Sequence, residues 1–123
     1  MIKAYPTPYR FGTKSRSGTN ALVPGQIVKI LSNGSVAAYA DTGTAVAYGI
    51  YHGQDPDGTH IVLNGVVVGF ASDATAPSLG GPAYIVNGRT VSGNSSGGAR
   101  PELGRVVAIE SGLYFVYVKG LLV

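Results

Sequence analysis

Glycine and proline interrupt this chain so often that no long helix fits between them. The longest stretches free of both residues are eight residues long, at 26–33 and 35–42, whereas a globular helix usually needs ten or more uninterrupted positions. The segments between the interruptions, such as QIVKIL, HIVLNGVVVGF and LYFVYVKGLLV, are rich in Val, Ile and Tyr, which favour strands. The sequence therefore predicts an all-β fold, a small single-domain β-barrel or sandwich.

The apolar residues of these segments alternate only loosely. In QIVKIL, Ile27, Lys29 and Leu31 share one face of a strand, and Val28 and Ile30 share the other. Because successive side chains of a strand point to opposite faces, we expect both faces to meet apolar surroundings.

The glycines also mark an internal repeat. Four glycines of the first half recur about 55 residues later, and HIVLNGVVV matches FVYVKGLLV in the flanking sequence. Each repeat contains a strand, a turn centred on Asn-Gly, a second strand and a further strand pair. We predict two pseudo-repeated units, 22–71 and 79–123, in one β domain over 21–123. The paired glycines are Gly25 and Gly81, Gly34 and Gly88, Gly49 and Gly104, and Gly65 and Gly120.

Composition sets further limits on the class of protein. The 123 residues are enough for one domain with its own core. The chain contains no cysteine, so disulfides and thiolate metal clusters are excluded. It has no run of eighteen apolar residues and no signal-peptide pattern, so we expect cytoplasmic synthesis and no membrane partner.

The first twenty residues differ from the rest of the chain. They hold four of the nine basic side chains, no acidic one and three of the eleven aromatic ones. The two prolines favour an extended path, and aromatic side chains are strong anchors on protein surfaces. We predict an extended N-terminal docking arm over 1–20, whose contact residues are Lys3, Tyr5, Pro6, Pro8, Tyr9, Arg10, Phe11, Lys14 and Arg16.

Two alternatives for the arm stay open. It can fold back on its own domain or pair with a sister subunit, and it can be disordered. Nucleic acid is disfavoured as its partner, although the net charge is +3, because residues 41–123 carry four basic and six acidic groups and no basic stripe marks a binding groove.

One loop contains candidate metal ligands. His52, Asp55, Asp57 and His60 bracket the segment GQDPDGT, and imidazoles with carboxylates can bind a divalent cation. The same Asp-Pro-Asp-Gly sequence also builds a tight turn. The turn is the favoured interpretation, and we predict neither a metal nor another cofactor.

Catalytic candidates are few. Ser95 and Ser96 lie in the Gly/Ser-rich segment 92–101 without a neighbouring base, and a serine nucleophile needs one. Glu102 and Glu110 are the other candidates, as an acid and base pair, yet nothing in the sequence places them in one cleft. We therefore expect no catalytic residues and a protein that is not an enzyme.

The segments of the repeat together resemble a known family. PGQIVKI, NGSVAAYADTGTAVAYGIY, HIVLNGVVVGFASD, LGGPAYIVNGRTVSG and ELGRVVAIESGLYFVYVKG follow one another over residues 22–123. This pattern is similar to that of the small capsid decoration, or structural cement, proteins of tailed bacteriophages. The resemblance rests on glycine spacing and apolar pattern.

The resemblance implies a structural role on a virion. It implies a homotrimer at threefold or quasi-threefold positions on the outer face of the phage head, bound to the major capsid protein and bridging capsomers. A carbohydrate-binding or host-adhesion module is the alternative function. In that case a sugar platform would contain Tyr39, Tyr48, Tyr51 and the two histidines, His52 and His60.

Overall fold

The computed structural model describes residues 7–11, 21–54, 56 and 60–119. These residues form ten strands and no helix, which confirms the all-β prediction. These described residues thus include no helix that is long and apolar enough to cross a membrane. The strands are β1 (Thr7–Phe11), β2 (Ile27–Leu31), β3 (Val36–Ala38), β4 (Ala45–Gln54), β5 (His60–Asn64), β6 (Val67–Ser72), β7 (Pro82–Asn87), β8 (Thr90–Ser92), β9 (Glu102–Glu110) and β10 (Leu113–Val118).

The strands form two sheets of five. The first sheet has the order β1-β5-β4-β2-β3, and the second is a closed barrel with the order β10-β6-β8-β7-β9. A short parallel pairing of β6 with β8, at Ala71 with Thr90 and Ser72 with Val91, closes the barrel. The first sheet stays open within the described residues, because its end strands β1 and β3 do not pair with each other.

Strand pairing repeats between the two sheets. The order β3-β2-β4-β5 corresponds to β8-β7-β9-β10. Val28 pairs with Gly49 in the first sheet, and the residues 55 positions later, Ala83 and Gly104, pair in the second. A β-bulge interrupts the β4–β5 and β9–β10 ladders at corresponding residues, His52 and Val107. The two pseudo-repeated units are thus confirmed.

The pairing also shows where one unit ends and the next begins. β1 pairs antiparallel with β5, and β6 pairs antiparallel with β10, so β1 and β6 hold corresponding places. By pairing, the units are β1–β5 and β6–β10, whereas the sequence alignment ended the first unit at residue 71. Glycine spacing carries no information about which strands pair, so the sequence prediction assigned β6 to the first unit.

Two corresponding glycines permit close contacts between neighbouring strands. A Cβ atom on Gly49 would lie 2.4 Å from Cγ1 of Val62, and one on Gly104 would lie 1.8 Å from the carbonyl oxygen of Tyr117. Real Cβ atoms are essentially never found closer than 3.0 Å to such neighbours. The repeat therefore keeps a glycine at this position in both units for a steric reason.

The first sheet is buried on both faces. One face contributes Ile27, Ile50 and Leu63 to a core that also contains the inner residues of the barrel. The opposite face forms a second cluster around Val28, Ile30 and other residues of the sheet. Both faces of QIVKIL thus meet apolar surroundings, as its loose alternation predicts.

Asn64 joins the two units through its side chain, which is only 1% exposed. Its Nδ2 donates to the carbonyl oxygen of Tyr48 at 2.8 Å and to that of Lys119 at 3.0 Å. Tyr48 lies in β4, and Lys119 directly follows β10. Oδ1 of Asn64 is buried and accepts no hydrogen bond from the described part of the chain.

Candidate functional site

Part of the predicted docking arm forms an edge strand. Residues 7–11 pair with β5 of the same chain, with Thr7 opposite Asn64 and Phe11 opposite His60. Because β1 is the end strand of the first sheet, its second side has no strand beside it in the described chain. Pro8, Tyr9, Arg10 and Phe11 lie in this strand, whereas Lys3, Tyr5, Pro6, Lys14 and Arg16 lie outside the described residues. The role of the arm in docking stays a prediction.

The two histidines of the candidate metal loop have different surroundings. His60 is buried, and its Nδ1 shares a hydrogen bond of 2.9 Å with the hydroxyl of the buried Tyr51. His52, at the bulge, is exposed. No group of three or more His, Cys, Asp or Glu side chains comes together within the described residues. Asp55 and Asp57 lie outside them.

The tyrosines of the predicted sugar platform divide between the two faces of β4. Tyr39 and Tyr48 are half-buried against the main core, and their ring centroids are 5.9 Å apart at an interplanar angle of 45°. Tyr51 belongs to the cluster on the opposite face. Since successive side chains alternate along a strand, Tyr48 and Tyr51 cannot share one surface. The structure brings Tyr39 and Tyr48 together. Neither Tyr51 nor His60 joins this pair.

The Tyr39 ring borders a cleft between the two units, which we call the Tyr39 cleft. The cleft has a volume of about 260 Å³ and is lined by Ala21, Val23, Gln26, Ala38, Tyr39, Ala40 and Gly88. Gln26 and Tyr39 are both partly exposed, and neither has a side-chain hydrogen bond within the described part of the protein. The lining of the cleft therefore includes a tyrosine and a glutamine, and no charged residue.

Several contacts hold this cleft in shape. Ile27 donates its backbone N–H to the carbonyl oxygen of Gly88 at 2.8 Å, which ties the start of β2 to the β7–β8 turn. The buried ammonium group of Lys29 donates to the carbonyl oxygens of Asp41 and Gly43, and so fixes the segment that follows Tyr39. The pKa of the Tyr39 phenol is raised by burial, although nearby Arg100 opposes the shift. The hydroxyl thus keeps its proton at neutral pH.

A second candidate surface lies at the β9–β10 hairpin. Leu79 is 65% exposed, Val107 51% and Ile109 46%. Gly80 donates its backbone N–H to the carbonyl oxygen of Val106 at 2.8 Å, so Leu79 lies beside this part of β9. We call Leu79, Val107 and Ile109 the apolar tip. Sequence reasoning missed it, because these residues have the same apolar character as the core residues next to them.

The edge of β9 is open at the apolar tip. β7 pairs with β9 only from Glu102 to Arg105, and contacts with Gly80 and Gly81 extend the pairing to Val106. Beyond Val106, no strand of the described chain adjoins β9 on the side away from β10. The hairpin closes at Ser111 and Gly112, whose φ values of 53° and 76° are typical of a type I′ turn.

The catalytic candidates lie in a turn and at the two ends of one strand. The carbonyl oxygen of Ser95 accepts hydrogen bonds from the backbone of Gly98 and Arg100, and the Arg100 side chain reaches Asp73 at 3.4 Å. Ser95 thus lies within a hydrogen-bonded turn. Glu102 and Glu110 lie at opposite ends of β9, about 25 Å apart at the usual rise of a strand, which is too far for an acid and base pair.

Comparison of the sequence with protein-family models and with curated proteins, and of the fold with solved structures, returned no match.

Proposed function

We propose that this protein is a capsid decoration protein of a tailed bacteriophage. It binds the outer surface of the assembled head, as a homotrimer in contact with the major capsid protein, and stabilises the shell by bridging capsomers. The observation that carries the proposal is the apolar tip, where three large apolar side chains are exposed next to an open strand edge. Exposed apolar side chains beside an unpaired strand edge are the surface of the described chain best suited to contact with another protein.

The fold suits a role in which shape and burial provide the binding energy. The closed barrel holds the β9–β10 hairpin on a rigid base, so little ordering entropy is lost when the hairpin docks. Apolar side chains supply area to bury, and the free edge of β9 supplies backbone groups for a strand of the partner. The arm adds a second point of attachment, and two linked contacts bind far more tightly than either alone.

The test is binding to heads that lack this protein. Heads of the phage that encodes the chain are assembled without it, mixed with the purified protein and sedimented. We expect the protein to sediment with the heads in a fixed ratio to the major shell protein. Failure of the wild-type protein to sediment with the heads would contradict the proposed function.

Two variants test the surfaces that are proposed to dock. Deletion of residues 1–20 removes the arm together with the edge strand β1, and Val107→Glu with Ile109→Glu places charges on the apolar tip. We expect each variant to bind at least about tenfold more weakly, since a buried unpaired charge or a lost anchor costs more than about 1.4 kcal/mol. The matched control carries the same charges at exposed positions elsewhere, Ser32→Glu and Thr44→Glu, and should bind like the wild type. Equal binding by control and tip variants would remove the tip from the docking surface.

A further inference from the structure

We propose that the Tyr39 cleft binds a neutral saccharide through one sugar ring. The lining of the cleft contains a tyrosine, a glutamine amide and no charged side chain. This site is separate from attachment to a capsid, because its ligand would be a small polyhydroxylated molecule rather than a protein surface.

The chemistry of the lining selects the ligand. The face of a tyrosine ring is apolar, and packs against the C–H groups on one side of a pyranose. The Gln26 amide offers two donors and an acceptor, which match the adjacent hydroxyl groups of a sugar. The Tyr39 hydroxyl adds a donor and acceptor. None of the lining residues is basic, and Arg100, which lies near Tyr39, is already paired with Asp73 at 3.4 Å. A phosphate or carboxylate group would therefore find no unpaired basic side chain in the lining.

The size of the cleft fits one ring. Its volume of about 260 Å³ lies just below the range of roughly 300–1,000 Å³ that is usual for drug-sized ligands. A single sugar residue, or the end of a longer chain, therefore fills it.

The tyrosine of the cleft is held in place before the ligand arrives. Tyr39 packs against the ring of Tyr48 and against the main core. A ring that is already ordered loses little entropy on binding. The Gln26 side chain lies alongside the β7–β8 turn, since a Cβ atom on Gly88 would lie 3.6 Å from its Cδ.

The test is a titration of the full chain with single sugars, followed by NMR. Glucose, galactose and N-acetylglucosamine are the neutral probes, and glucuronate is the charged one. We expect at least one neutral sugar to shift the amide signals around the cleft, with a dissociation constant in the millimolar range, and to bind more tightly than glucuronate. No shift with any neutral sugar up to about 50 mM, or a preference for glucuronate, overturns the proposal.

Variants locate the binding. Tyr39→Ala should weaken it at least about tenfold, because stacking on the ring is lost. Gln26→Ala should weaken it several-fold while leaving the fold unchanged, since the amide has no partner in the described protein. Tyr39→Phe keeps the packing and the ring, so it should retain most of the affinity. Tyr117→Ala is the matched control, because Tyr117 is an exposed tyrosine, 47% accessible, that does not line the cleft.

The controls separate this site from the proposed capsid function. If Tyr117→Ala weakens sugar binding as much as Tyr39→Ala, the saccharide is stacking on exposed rings in general and the cleft is not its site. Gln26→Ala should leave sedimentation with phage heads unchanged. A protein that fails to bind heads can still bind the sugar, and the two results are read independently.

Discussion

Gly104→Ala is expected to lower the free energy of unfolding by at least about 3 kcal/mol, or to prevent folding. The added Cβ would lie 1.8 Å from the carbonyl oxygen of Tyr117. That oxygen belongs to the backbone of β10, which pairs with β9 on one side and β6 on the other, so it cannot move without disturbing the barrel. Overpacking of an unyielding site costs about 1–3 kcal/mol and occasionally more. Urea denaturation monitored by circular dichroism provides the measurement.

Alanine substitutions at two other glycines provide comparisons for Gly104→Ala. Gly49→Ala should cost less than Gly104→Ala, because its close contact is with the side chain of Val62, which can shift more easily than backbone. Gly88→Ala is the control: its Cβ position is 3.6 Å from the nearest atom, an ordinary contact, and we expect a change within about 1 kcal/mol. Equal stability of the Gly104→Ala and Gly88→Ala variants would show that the β9–β10 contact is not as close as described.

Asn64→Asp is expected to destabilise the protein in a pH-dependent manner. In the wild type, Nδ2 of Asn64 donates to the carbonyl oxygens of Tyr48 and Lys119. The substitution keeps the shape of the side chain but puts an acceptor in place of this donor. A carboxylate at this buried position loses its hydration and faces two carbonyl oxygens, so its pKa in the folded protein rises above the unfolded value of about 3.9. At pH 7 we expect a loss of at least about 3 kcal/mol.

The sign of the pH dependence follows from proton binding. Between the unfolded and the folded pKa, the folded variant holds a proton that the unfolded chain has released. Its stability relative to the wild type therefore falls by about 1.4 kcal/mol for each pH unit above about 4. Near pH 4 and below, the protonated carboxyl can still donate one hydrogen bond, and the variant should approach the wild type.

Denaturation of both proteins from pH 3.5 to 8 gives this difference directly. Asn87→Asp is the matched control, because Asn87 is exposed and its Oδ1 accepts a hydrogen bond from the backbone of Arg89, a role that aspartate retains. A constant difference between Asn64→Asp and the wild type across this range would contradict the buried, donor-only role of Asn64.

The two units have diverged in what their corresponding positions face. Ile50 and Arg105 are 55 residues apart and hold corresponding places in β4 and β9, yet Ile50 is fully buried in the core and the Arg105 side chain is 62% exposed. Tyr117, the partner of Arg105, is exposed as well, whereas Val118, 55 positions after Leu63, is buried in the main core like Leu63 itself. The two units have therefore diverged at the position of Ile50 and Arg105, where one side chain packs into the core and the other is exposed.

The candidate sites were predictable only in part. Sequence reasoning grouped Tyr39, Tyr48 and Tyr51, although the spacing of three between Tyr48 and Tyr51 already puts them on opposite faces of a strand that contains both. It also missed Gln26, whose place beside Tyr39 depends on contact between the β7–β8 turn and the start of β2.

The sequence by itself determined the fold class and the repeat, since frequent glycine and proline rule out helices. The spacing of the glycines includes one position, Gly49 and Gly104, at which a neighbouring strand comes too close for a Cβ atom in both units. Only the tertiary structure decided which sheet closes and which apolar residues stay outside. Val107 and Ile109 have the same hydrophobicity as Val106, but the pairing of β9 on the side of β7 ends at Val106. Burial depends on neighbours that are distant in sequence. The large apolar residues of β9 are therefore buried up to Val106 and exposed beyond it.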